Sequence, residues 1–185
     1  MLKNTRFKTV ASAARINRAV QKLARQIDHY YETRSATTIT VVCVMDASFM
    51  FCADLVRRLK TPARIVFAKA TSYTRTNKGQ TLLAPIPKNL RGQFVLVVDT
   101  IYDTGKTIEK VVAELRKQTQ RVTVAVLINK KVKARRALPR VVRFVGMELP
   151  GDLFLVGYGL DYAGEFRDWK DVRALPANYG RRIPH

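Results

Sequence analysis

The chain has 185 residues, 47% of them hydrophobic, which suits one domain with a substantial core and excludes a disordered tail. Lys and Arg number 34 against 14 Asp and Glu, a net charge of +20, more than a small-molecule enzyme needs for solubility. No apolar run approaches the roughly 18 residues of a helical membrane span, so none is expected.

The charge is unevenly placed. No acid occurs from Met1 to Ile27, from Leu55 to Val98 or from Leu115 to Met147, and these stretches carry 7, 9 and 10 Lys/Arg. Such surfaces attract polyanions through counterion release, largely without sequence selectivity. RNA or a large ribonucleoprotein is therefore an expected partner, against the plainer reading of a basic surface that only aids solubility.

Residues 1–11 read as a basic N-terminal arm on a single domain spanning 1–185. The first twenty residues are hydroxylated and acid-free, like a mitochondrial transit peptide, but they merge into a helix of the fold, so their cleavage is disfavoured. A cytoplasmic location is expected, with a mitochondrial one as the alternative. Ser12 is a plausible N-cap for a helix over 13–31, where Ile16, Val20, Leu23, Ile27 and Tyr30 form one apolar face. Arg15, Arg18, Lys22 and Arg25 follow the same period, slightly rotated.

Beyond that helix, strands and helices alternate. Strands are expected at 38–45, 63–70, 93–99, 122–129 and 153–160, with helices at 49–60 and 106–118. Near-continuously apolar strands between helices imply an α/β fold with a parallel sheet covered on both faces, and ligands then bind at the carboxyl ends of the strands. Cys43 and Cys52 fall inside predicted elements without metal-ligand spacing and read as core residues of a reducing compartment. The polar connection 71–92, with two prolines and two glycines, is long enough to be a lid.

The chemistry concentrates in "VDTIYDTGKT", residues 98–107. Its Gly-Lys-Thr suggests a nucleotide-triphosphate P-loop, but that loop needs glycine five positions earlier, where this chain has Thr100. A sugar-phosphate site fits better. The apolar run 94–98 brings Asp99 to the carboxyl edge of its strand, in reach of ribose hydroxyls. Asp103-Thr104-Gly105 makes a turn, and Lys106-Thr107 open a helix whose free N–H groups suit a dianionic phosphate. Asp103 then faces a reacting base.

This stretch resembles the phosphoribosyl-diphosphate (PRPP) signature of type I phosphoribosyltransferases. The segments "VVCVMDASFMFCADLVRRL", "TSY" and "LFLVGYGLDYAGEFRDW" narrow the resemblance to the hypoxanthine-guanine phosphoribosyltransferases, over roughly residues 12–175. The resemblance implies a five-stranded parallel core with a small C-terminal hood, and transfer of ribose 5-phosphate from PRPP to a 6-oxopurine with release of pyrophosphate. It implies that Asp99, Asp103, Thr104, Gly105, Lys106 and Thr107 bind PRPP, with Asp103 as the catalytic acid/base. Lys130 is implied to contact the purine 6-oxo group, Phe154 to stack on the ring and Leu155 to mark the backbone that reads the base edge. Asp161, with Asp99, is the implied carboxylate near magnesium (Mg²⁺), Arg167 steadies pyrophosphate, and Ser72 and Tyr73 belong to the lid. A free enzyme of this kind is expected to be a homo-oligomer.

Three positions depart from the family pattern. Asp46 and Ala47 stand in the pyrophosphate loop where a basic or amide residue and a glycine are usual, so a carboxylate is expected to repel pyrophosphate. Thr100 replaces the second acid of a carboxylate pair, and the lid is unusually cationic. Together with the net charge, these departures motivate an alternative: a phosphoribosyltransferase fold with weakened or lost activity, recruited as an RNA-contacting subunit of an assembly such as a mitochondrial ribosome.

Overall fold

The computed structural model describes residues 7–72, 81–83, 89–131, 137–176 and 179. Its main sheet contains five parallel strands: β2 (Ile39–Met45), β3 (Ala63–Ser72), β5 (Phe94–Tyr102), β6 (Val122–Lys131) and β7 (Val142–Pro150). A short β4 (Thr81–Leu83) pairs antiparallel with β3, and the order across the sheet is β4-β3-β2-β5-β6-β7. The chain therefore builds outward from β2 in one direction and from β5 in the other. The crevice at the carboxyl ends of β2 and β5 is the point where an open parallel sheet accepts a ligand.

Side-chain alternation divides the core in two. Val41, Cys43, Leu96 and Val98 pack with α1 (Ala13–Glu32) and α2 (Phe49–Val56). Val42, Val44, Val95 and Val97, one residue out of phase, pack with α3 (Lys106–Arg116) on the opposite face. Helix α1 starts where the sequence places it: the Ser12 hydroxyl accepts the Arg15 N–H at 3.3 Å. Ile16, Val20, Leu23 and Ile27 are buried, and each such side chain contributes about 1.5–3 kcal/mol relative to exposure. Cys43 and Cys52 are free, buried thiols, as expected.

A second, antiparallel sheet forms the hood, in the order β1 (Lys8–Ala11), β9 (Val172–Ala174), β8 (Leu155–Val156). Part of the expected N-terminal arm is therefore strand. Next to it the Phe7 ring packs against Phe166 and Trp169, with centroids 5.3 and 5.0 Å apart.

The structure corrects two of the expected strands. Residues 153–160 do not form a strand of the parallel sheet: only Leu155–Val156 is a strand, in the hood, because Gly157, Tyr158 and Gly159 all take positive φ and turn the chain. The fifth parallel strand is β7 instead. Its exposed Arg143 and Glu148 interrupt the apolar run that marks the inner strands. Helix α2 stops at Val56, and β5 continues three residues past Asp99. Of the expected connection 71–92, Thr71–Ser72 end β3 and 81–83 form β4, whereas 73–80 and 84–88 lie outside the described residues.

The Tyr31 hydroxyl and Thr123 Oγ1 share a buried hydrogen bond of 2.7 Å that joins α1 to β6. Replacing Tyr31 by Phe leaves a buried hydroxyl without this partner. The variant is expected to lose about 1–2 kcal/mol of stability in urea unfolding, with unchanged m-value.

Candidate active site

Residues from the ends of β2 and β5 and from the start of α3 enclose a cleft of about 250 Å³. Asp46, Ala47, Asp99, Asp103, Thr104, Gly105, Lys106 and Thr107 all line it, so the structure gathers most of the expected site in one place. Gly105 precedes α3 with φ of 88°. A Cβ there would come within 2.3 Å of the Tyr102 hydroxyl, so only glycine closes this turn. The turn aims the unpaired N–H groups at the start of α3, and the Thr104 and Thr107 side chains, at a phosphate-sized space.

Asp99 does not emerge at a strand edge as expected. It lies within β5, buried, with its carboxyl at the wall of the cleft. Burial raises its pKa from the ordinary 3.8 to about 7, against the backbone N–H groups of Thr100 and Ile101, which act in the opposite sense. Asp103 Oδ2 accepts a 3.0 Å charge-assisted hydrogen bond from Lys130 Nζ at the end of β6. The Lys130 side chain is only 9% exposed and the Asp103 carboxylate about half exposed, so the buried ammonium is held at the cleft by its partner.

The loop after β2 changes the meaning of the departures at Asp46 and Thr100. Asp46 pairs with Lys69 of β3 at 3.5 Å, which offsets the charge expected to repel pyrophosphate. The Met45–Asp46 peptide is cis. Thr100 is fully buried, and its hydroxyl donates to the Ala47 carbonyl at 2.9 Å, so it anchors this loop rather than only lacking a carboxylate. Sequence reading did not find either role. Lys69 lies 23 residues from Asp46, on the neighbouring strand and in register with Met45.

The C-terminal segment meets the same loop. A Cβ on Gly159 would lie 2.3 Å from the Ala47 carbonyl oxygen, so the chain passes directly over it. Tyr158 donates to Asp54 Oδ2 of α2 at 2.6 Å and fixes this approach. Arg167 pairs with Asp161 at 2.9 Å and donates to the Gly159 carbonyl at 2.6 Å, while Asp161 Oδ2 accepts the Gly164 N–H. The Phe154 ring is 53% exposed and stands edge-on to Tyr162, whereas Leu155 is buried in β8. Lys130, Phe154, Leu155, Asp161 and Arg167 are outside the lining of the cleft itself, Lys130 reaching it only through its pair with Asp103. Ser72 ends β3, opposite Thr81, and Tyr73 lies outside the described residues.

Asp99 holds its proton in the folded state over a window where the unfolded chain has released it. Its contribution to stability is therefore fully present below about pH 4 and is lost as pH rises through 7. Urea melts of the free protein between pH 4 and 8 are expected to show this decline, and Asp99→Asn to flatten it. An equal slope in the variant would exclude burial of this carboxyl as its cause.

Residues 8–163 match the phosphoribosyl transferase domain model. The hypoxanthine phosphoribosyltransferase of Haemophilus influenzae is 35% identical over 158 residues, covering 83% of this chain and 86% of its own. A solved structure of the Trypanosoma cruzi hypoxanthine phosphoribosyl transferase superposes with a TM-score of 0.85 at 27% identity, over 97% of this chain and 98% of that one. A hypoxanthine-guanine phosphoribosyltransferase from Bacillus anthracis gives a TM-score of 0.79 at 30% identity, over 93% of this chain and all of its own. The resemblance read from the PRPP-like stretch and the C-terminal segment is borne out, and the chain belongs to the phosphoribosyl transferase family.

Proposed function

We propose that the protein is a 6-oxopurine phosphoribosyltransferase of purine salvage: PRPP and hypoxanthine or guanine give the nucleotide and pyrophosphate. The Asp103–Lys130 pair beside the phosphate loop carries this reading. In the reaction one purine imidazole nitrogen bonds the ribose C1 as the bond from C1 to pyrophosphate breaks. Asp103 takes up the proton that the imidazole loses, and Lys130 donates to the 6-oxo group, which an amino group in that place would not accept. The turn 103–107 holds the 5′-phosphate, Asp99 faces the ribose hydroxyls, and Phe154 stacks on the base. Ala47, the Asp46–Lys69 pair and Arg167 receive the pyrophosphate end, with Ser72 and Tyr73 closing over it.

Magnesium fits this site as a substrate-borne ion. Among the described residues no three His, Cys, Asp or Glu side chains converge on a metal position. A polyphosphate needs only one or two protein carboxylates to hold its Mg²⁺, and Asp161 and Asp99 are the candidates. The ion supplies charge compensation to the leaving pyrophosphate. The scaffold alternative rested on the basic charge together with Asp46 and Thr100, and these two residues have partners at the loop after β2. No described helix is long and apolar enough to cross a membrane. A single domain over 1–185 in the cytoplasm is the simplest setting for this activity.

The protein acts as a homo-oligomer in this reading. Ile65 and Phe67, 42% and 62% exposed, project from β3 on the face that it shares with Val41 and Cys43, and a second copy would cover them. Phe67→Lys is expected to lower the mass found by sedimentation, and an unchanged mass would place the interface elsewhere.

Purified protein is expected to convert hypoxanthine with PRPP and Mg²⁺. Asp103→Asn should lower kcat by about 10²–10⁴ with the fold retained. Lys130→Ala should lower kcat/KM for hypoxanthine by about ten- to a hundredfold and narrow its advantage over adenine. Failure of the wild-type protein to turn over any oxopurine at saturating PRPP would overturn the assignment.

A further inference from the structure

The reaction leaves the other end of the sheet unexplained. Helix α1 ends at Glu32, and β5, β6 and β7 begin at Phe94, Val122 and Val142, so Arg34, Arg121, Arg140 and Arg143 all fall at the amino ends of the strands. Asp103, just past the carboxyl end of β5, is roughly 30 Å away along that strand at about 3.3 Å per residue. Three of the four arginines are held by aromatic rings. The Arg34 and Arg143 guanidiniums lie 3.7 and 4.5 Å from the centre of the Tyr30 ring, and that of Arg121 lies 4.7 Å from the Phe94 ring. Tyr30 contacts Tyr31, and Tyr31 contacts Phe94, with centroids 5.1 and 5.7 Å apart, so the two clusters belong to one rigid support. Arg34, Arg140 and Arg143 also line an open groove of about 680 Å³.

None of the four arginines takes part in an ion pair among the described residues. Among the acids at this end, Asp28 accepts the Lys60 and Thr61 N–H groups, Glu114 pairs with Lys117, and Glu32 closes α1. Stacking on the rings holds the guanidinium planes of Arg34, Arg121 and Arg143. Arg34 Nη1 also donates to the Tyr30 carbonyl and Arg121 Nη1 to the Gly92 carbonyl, which leaves the other N–H groups of each fork for a ligand.

We propose that this face docks the phosphate backbone of a nucleic acid, RNA in the first instance, while the opposite end of the sheet carries out the transfer. Guanidinium forks match phosphate oxygens in pairs, and a surface of fixed arginines at several points suits a repeating phosphate chain better than a single anion. An anionic membrane is the poorer match. Among the described residues the exposed large apolar side chains are Phe49, Ile65, Phe67 and Phe154, and none lines this groove to enter a bilayer. Tyr30 lies beneath the arginines, so the contact reads phosphates and not base identity.

The test is fluorescence anisotropy with a labelled 20-nucleotide single-stranded RNA of mixed sequence, using the full chain. Wild-type protein is expected to bind, with log affinity falling linearly as log salt rises. The triple variant Arg121→Glu, Arg140→Glu, Arg143→Glu should bind at least about tenfold more weakly near 0.1 M salt, with a salt slope smaller by about 2 for the three lost contacts. Hypoxanthine conversion by the same preparations should be unchanged, which separates failure of this proposal from failure of the transferase assignment. Should the glutamates impair folding, the triple Arg→Gln variant is read in the same way. Equal RNA binding by a folded triple variant, no RNA binding by the wild type, or tighter binding to phosphatidylserine vesicles than to RNA would each overturn the proposal.

Discussion

The Ala47 carbonyl oxygen is the point on which the site is assembled. It accepts the Thr100 hydroxyl from β5, and the C-terminal segment passes so close above it that position 159 tolerates no side chain. A buried carbonyl left without a donor would cost about 1–3 kcal/mol, so the threonine keeps the loop after β2 seated. The C-terminal segment is tied in turn by Tyr158 to Asp54 and by Arg167 to the Gly159 carbonyl. Two segments distant in sequence, β5 and the C-terminal segment, therefore converge on one loop.

The asymmetry of a parallel sheet accounts for the separation of charge. Strands pointing one way place their carboxyl ends, and the N-terminus of α3, at the cleft, where the aspartates and the phosphate turn meet. The helix dipole is positive there and favours an anion. The C-terminus of α1 lies at the opposite end, where a negative dipole end tolerates clustered arginines. These arginines are thus kept away from the carboxylates of the cleft, and each end of the sheet has its own electrostatic character.

Within the cleft the decisive feature is pairing. Asp103 and Lys130 lie 27 residues apart in sequence, yet adjacent parallel strands deliver them within 3.0 Å. An ammonium this buried needs a carboxylate partner, and that partner is the residue proposed to take up the substrate proton. The two groups are held ready for a ligand that presents an acceptor to one and a proton to the other.

The amino-acid sequence by itself determined the helices α1 and α3, the strands β2, β3, β5 and β6, and the glycine turn at 103–107. Each depends on local period, a cap or a short motif, and local signals survive without knowledge of the fold. It was less informative at β7, where Arg143 and Glu148 break the apolar pattern of an edge strand, and at 153–160, where positive φ angles turn an apolar run away from extension. The roles of Lys69 beside Asp46 and of the Thr100 hydroxyl on Ala47 came from tertiary structure alone. Both are contacts between neighbouring strands, fixed by sheet register and not by spacing along the chain. In the sequence, Asp46 and Thr100 stood as losses from a motif; only the packed sheet turned one into half of an ion pair and the other into the anchor of the loop.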